Sequence, residues 1–111
     1  MNEFELFTLV YYALESYYGN DAEDSEINSF LSDMCPFTFE DIGSADPVVY
    51  EDYLEFIDGK EITIENSLDV AREYVRMIDL VDVTPAFAEM TEEKWVKGCK
   101  EFLSQPHKVS K

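Results

Sequence analysis

One histidine, two cysteines, four isolated glycines and eight cations in 111 residues leave little material for several kinds of chemistry. His107 is the single imidazole, so a Ser-His or Cys-His nucleophile has no base and a histidine metal site lacks its ligands. Cys35 and Cys99 stand 64 residues apart with no CxxC spacing, which argues against a disulfide framework or a zinc knuckle and for two buried, reduced thiols. Glycines 19, 43, 59 and 98 are separate, so there is neither a GxGxxG turn nor a P-loop to cradle phosphates. An EF-hand starting at Asp21 needs Gly at position 26 and Glu at position 32 but meets Glu26 and Ser32, and one starting at Asp24 meets Ser29 and Cys35. The carboxylates crowded at 20–26 leave a looser divalent-ion site open, but no pattern specifies one. The longest apolar run near the start, Leu9 to Leu14, is six residues, and no basic stretch precedes it. That is too short for a signal or a membrane span, and the expected location is the cytoplasm. Carboxylates are so abundant that picking a catalytic pair would be arbitrary. We assign no catalytic residue, no metal ligand and no cofactor, and expect a protein that is not an enzyme.

Cations are scarcest of all where the acids are densest. Met1 to Gly59 holds fifteen Asp and Glu and no Lys or Arg, whereas Lys60 to Lys111 holds ten acids and eight bases. The first half therefore carries almost all of the net charge of -17. A solvated helical surface ordinarily mixes both signs, because opposite pairs help and a single-sign field repels itself. Nucleic acid and anionic membranes are excluded as partners, since both require a basic face. Disorder is disfavoured as well. Eight Phe, seven Tyr and one Trp, with an apolar fraction of 46%, belong to a folded chain, and 111 residues make one core rather than two.

Hydrophobic spacing predicts an all-α fold, a single compact domain of five or six helices over 1–105, with 106–111 as a mobile tail. From 2 to 18, apolar residues recur at Phe4, Phe7, Val10, Tyr11, Leu14, Tyr17 and Tyr18, with Leu6, Leu9 and Ala13 beside them. The arc is wider than one stripe, so this helix is either central or the seam of a homodimer. Gly19-Asn20-Asp21 ends it with residues that tolerate left-handed backbone, and Asp24 offers a cap for a second helix that Pro36 stops. Thr38 and Asp41 have capping-box spacing for one short turn. Asp46-Pro47 starts a third helix that Asp58-Gly59 closes, and Thr63 caps a fourth over 64–80. On that fourth helix Asp69–Arg72, Glu73–Arg76 and Arg76–Asp79 form i,i+3 opposite-charge pairs. Thr84-Pro85 opens a brief turn, and Thr91 caps a last helix carrying Trp95, Cys99 and Phe102. Gly98 inside it costs about 1 kcal/mol against Ala, which points to close approach by a neighbouring helix.

The first half also holds twelve of the aromatics, and tyrosine beside carboxylate suits an interface. The expected partner is a basic protein, held by an acidic module that occludes it, as an inhibitor or immunity protein does, without catalysis. Asp21 and Glu23 before the second helix, and Glu51, Asp52 and Glu55 on the outer side of the third, are the expected contacts. The short, acidic, aromatic-rich helical character is similar in kind to immunity proteins and to phage inhibitors that imitate nucleic acid, although no motif ties it to a particular family. The competing expectation is a helical accessory or self-associating domain, joined through the first helix, whose acidity serves only solubility.

Overall fold

Asn2 and Glu5 begin the chain's first helix by capping each other. The Asn2 side chain accepts from the Glu5 backbone N–H at 2.8 Å, and the Glu5 carboxylate accepts from the Asn2 N–H at 2.8 Å. In the computed structural model, which describes residues 1–19, 25–38, 42–79 and 81–106, six helices follow in order. They are α1 (Glu3–Tyr18), α2 (Ser25–Met34), α3 (Pro47–Ile57), α4 (Ile64–Met77), α5 (Thr84–Ala88) and α6 (Glu92–Ser104). No strand occurs among the described residues, and residues 60–63 are the loop expected before Thr63. The fold is all-α. The Cα radius of gyration, 13.1 Å, matches the roughly 13 Å expected of one domain of this length. No helix among the described residues is long and apolar enough to cross a membrane.

The caps read from sequence are in place where the chain is described. Asp46 accepts from the Val48 N–H at 3.1 Å with Pro47 in the first turn, Thr63 and Asn66 form a reciprocal box, and Thr91 accepts from the Lys94 N–H at 3.2 Å. Gly59 takes φ +75°, a left-handed backbone that lets the chain reverse after α3. The stop expected over Gly19-Asn20-Asp21 is not left-handed at Gly19, the one of the three among the described residues. Gly19 keeps helical backbone at φ -59°, and the glycine is required by crowding, because a Cβ there would lie 2.4 Å from the Glu15 carbonyl oxygen. Asn20, Asp21, Glu23, Asp24, Asp41 and the 107–111 tail lie outside the described residues.

α1 is the central helix, and it packs against all five others. All eight residues from Phe4 to Tyr11 are buried, whereas beyond them only Leu14 and Tyr18 are. Over Phe4 to Tyr11 the wide apolar arc is accounted for within the chain, since a helix surrounded by neighbours needs apolar residues on every side, whereas Tyr12 and Tyr17 beyond it stay nearly half exposed. α2 and α3 lie against one side of it, and α4 to α6 pack together on another. The Phe4 and Phe7 rings meet Tyr50 edge-on at centroid distances of 5.7 and 5.0 Å, and Tyr53 meets Phe7 at 5.0 Å and Tyr74 at 5.0 Å. Tyr53 is fully buried, and its hydroxyl donates to the Glu3 carbonyl at 2.5 Å, tying α3 to the first turn of α1. A phenol buried this deeply needs such an acceptor, since an unsatisfied hydroxyl costs about 1–3 kcal/mol.

The far side of the core is held by Trp95. It is buried, packs on Phe87 at 5.7 Å, and donates from Nε1 to Ser67 Oγ at 2.7 Å, while Ser67 Oγ donates to the Ile64 carbonyl at 2.8 Å. Cys99 lies in the same cluster, 3.9 Å from Ser67 Oγ, and burial pushes its thiol up. Both cysteines are free, and Cys35 is only half-buried.

Two sequence expectations give way here. None of the i,i+3 ion pairs on α4 closes within 4.0 Å. Arg72 instead reaches the end of α5, donating from Nε to the Phe87 carbonyl at 3.3 Å and from Nη2 to the Met90 carbonyl at 2.7 Å. A guanidinium satisfies carbonyls that a five-residue helix leaves open, and this outweighs an exposed ion pair worth only tenths of a kcal/mol. Gly98 is the second. A Cβ placed on it meets nothing within 4 Å among the described residues, so none of the six helices approaches it closely.

Candidate functional site

Asp46 and Ser44 fix where α3 starts, and so which of its sides faces water. The Tyr50 N–H donates to Ser44 Oγ at 3.0 Å, and the Ser44 hydroxyl donates to the Asp46 carbonyl. From that start Val49, Tyr53 and Ile57 are buried toward α1, leaving Glu51, Asp52, Glu55 and Asp58 exposed on the other side. At 100° per residue Glu51, Asp52 and Glu55 fall within about 100° of arc, so they share one face. Val48, 56% exposed, stands among them, and Leu54 is 38% exposed at the edge.

These acids are poorly placed for helix stability. Carboxylates in a first turn favour the helix dipole, which accounts for Glu3, Glu26, Glu65, Glu92 and Glu93. Glu55 instead occupies the last turn of α3, where no base accompanies it, and Asp58 is the C-cap. Glu51–Glu55, Asp52–Glu55 and Glu55–Asp58 are like-charge neighbours at i,i+4 or i,i+3, each costing about 0.2–0.5 kcal/mol. No lysine or arginine among the described residues comes within 4.0 Å of them. The first cation in the chain, Lys60, lies with Nζ 5.1 Å from the Phe56 ring centroid rather than on a carboxylate.

The tyrosines near this face lie beneath it: Tyr53 and Tyr74 are buried and Tyr50 is half-buried. Burial, then the nearby Glu3 carboxylate, pushes the Tyr50 phenol up to about 12. Tyr53 and Tyr74 are raised further, burial first, with Asp52 adding to Tyr74. All three stay neutral hydrogen-bonding groups at any physiological pH. Of the five expected contacts the structure brings Glu51, Asp52 and Glu55 together, and Asp21 and Glu23 lie outside the described residues. No group of three His, Cys, Asp or Glu side chains that could hold a metal ion is found among the described residues. The loop at 20–26, where a divalent ion was left open, is mostly outside them.

A second surface was not foreseen. Where α1 leaves the fully packed region, Tyr12, Ala13, Ser16 and Tyr17 face a groove of about 680 Å³ whose other walls are α6 and the end of α5. Ala86, Met90, Trp95 and Phe102 supply apolar lining, Gly98 opens the α6 side, and Glu89, Lys94 and Glu101 are its charged groups. Tyr12 meets Phe102 edge-on at 6.0 Å and Phe37 at 5.5 Å, so an aromatic wall continues from α6 across α1. Tyr12, Tyr17 and Phe37 remain 45%, 46% and 49% exposed. The one sequence signal for this groove was Gly98, a costly helical glycine with no turn to make. A hollow of about 760 Å³ over Tyr11, Glu15, Cys35 and Thr38 borders segments outside the described residues.

Compared with known proteins, the chain matches no family model, no curated protein and no solved structure.

Proposed function

We propose that this protein is a non-catalytic binding module that occludes a basic protein partner through the acidic face of α3. The observation that supports it is the α3 face itself: Glu51, Asp52 and Glu55 are exposed, mutually repelling and, among the described residues, more than 4.0 Å from any Lys or Arg. α4 and α6 carry as many acids as α3 but mix them with Arg or Lys, whereas α3 has no base and sets Glu55 against its dipole, which acidity for solubility alone does not need. A lysine- or arginine-rich surface would relieve that repulsion on docking, and the exposed Val48 would give it an apolar contact among the charges.

The field acts chiefly on encounter. Opposite charge raises association rates over distances comparable to the Debye length, about 10 Å at 0.1 M salt and about 4 Å at 0.5 M. The test is capture from the source lysate at about 0.1 M salt with elution near 0.5 M, run in parallel with the Glu51→Lys, Glu55→Lys double variant. One basic protein bound stoichiometrically by the wild type and lost by the variant, with association slowed tenfold or more at low salt, is the expected result. An unchanged association rate for the double reversal removes α3 from the function.

A further inference from the structure

The groove beside α1 is a site of a different kind. On α1, Phe4, Phe7, Tyr11, Leu14 and Tyr18 point toward the buried side, and 100° steps put Leu9, Ala13 and Ser16 roughly opposite them. The groove therefore opens on the side of α1 away from the Phe4 and Phe7 contacts with α3, and what it takes can be argued independently of the α3 face.

We infer that this groove is a docking site for an amphipathic helical segment of a protein partner, one that carries Lys or Arg beside its apolar stripe. Its length fits such a segment. Leu9 to Tyr17 spans about 12 Å along α1 and Lys94 to Gln105 about 16 Å along α6, which is two to three turns of a helix laid between them. Its chemistry fits as well. Its lining combines small residues, Ala13, Ala86 and Gly98, with the Tyr12, Tyr17 and Phe102 rings. Apolar anchors at i, i+3 or i+4, and i+7 are what a lining of small residues beside aromatic rings receives.

Gly98 shows that the space is not a packing leftover. Among the described residues nothing lies within 4 Å of where its Cβ would be, yet glycine in a helix interior costs about 1 kcal/mol against alanine. A side chain at 98 would occupy the groove.

Charge decides between occupants. A second copy brings another net charge of -17 to a surface that already has Glu89 and Glu101 against the single cation Lys94. A helix with Lys or Arg at its margins instead meets both carboxylates with opposite charge. A small ligand is disfavoured because the flanking tyrosines remain nearly half exposed, whereas small-molecule pockets bury most of their ligand.

The experiment is a selection from a displayed library of random 16-residue peptides on the full-length protein, counter-selected on the Gly98→Leu variant. That variant keeps the fold, since its Cβ enters open space and leucine favours helix, and circular dichroism checks this. The expected winners have helical apolar spacing flanked by Lys or Arg. Made synthetically, they bind the wild type at least tenfold tighter than Gly98→Leu and lose severalfold on Glu101→Lys. Failure of any sequence to discriminate wild type from Gly98→Leu overturns the inference, as do winners that are acidic or lack helical spacing. Binding lost in the Glu51→Lys, Glu55→Lys variant but kept in Gly98→Leu assigns the peptides to α3 and rejects the groove. A dimer in sedimentation that Gly98→Leu dissociates gives the face to a second copy and rejects it too.

Discussion

Replacing Gly98 by alanine separates two explanations of that glycine by the sign of one number. Were Gly98 present so that a neighbouring helix could pack against it, a methyl group would collide, and overpacking costs about 1–3 kcal/mol. In the structure the added Cβ meets no atom of the described residues within 4 Å, so only the helix propensity changes, and alanine gains about 0.8–1 kcal/mol. Unfolding entropy of about 2.1 cal/mol/K per residue gives about 230 cal/mol/K for the chain, so 1 kcal/mol moves Tm by about 4 °C. We expect Gly98→Ala to raise Tm by about 3–4 °C by calorimetry. The urea midpoint should rise with the slope unchanged, because the surface exposed on unfolding stays the same. A drop in Tm would refute the reasoning, since it would mean that something packs on Gly98 and that the groove is closed in solution.

Arg72→Met should cost about 1.5–3 kcal/mol, the worth of charged hydrogen bonds to the Phe87 and Met90 carbonyls, and should speed amide exchange over 84–90 more than elsewhere. Equal protection across the chain would show that Arg72 does not hold α5. Alkaline stability follows from Tyr53 and Tyr74, whose folded pKa values burial raises above the unfolded value near 10. The folded state then binds more protons than the unfolded one above about pH 10, so stability is intact below that pH. Above it, stability falls by about 1.4 kcal/mol per pH unit for each of the two tyrosines until the folded values are reached. Phenolate absorbance for all seven tyrosines while circular dichroism stays helical would contradict this.

The proposed acidic face and the proposed groove site occupy different surfaces, and a partner docked on each would respond differently to salt. Exposed charges on α3 act mainly on the rate of encounter and weaken with salt. Apolar contacts in the groove act on dissociation and persist in salt. The two surfaces are therefore experimentally separable even if one partner uses both.

Local chemistry was legible in the residues. Asp46-Pro47, Thr63 and Thr91 mark helix starts by side-chain hydrogen bonds that span two or three residues, and the 3.6-residue repeat marks the buried faces, so the order of the five longer helices needs no tertiary knowledge, whereas α5 was expected only as a brief turn. Cation-free acidity over Met1–Gly59 and the outward position of Glu51, Asp52 and Glu55 are likewise properties of composition and helical phase. Long-range geometry was not. The arc of α1 reads the same whether five helices or a second copy cover it, because periodicity records that a face is buried and not by what. Gly98 reads the same above a packed helix and above an open groove, and Arg72 has an acid three residues away in sequence but two carbonyls nearer in space. Sequence determined which residues form helices and which sides of them are apolar or acidic, since those depend on neighbours along the chain. Only the tertiary structure decided that α1 is central and that a groove opens between α1 and α6, because both depend on contacts between residues far apart in sequence.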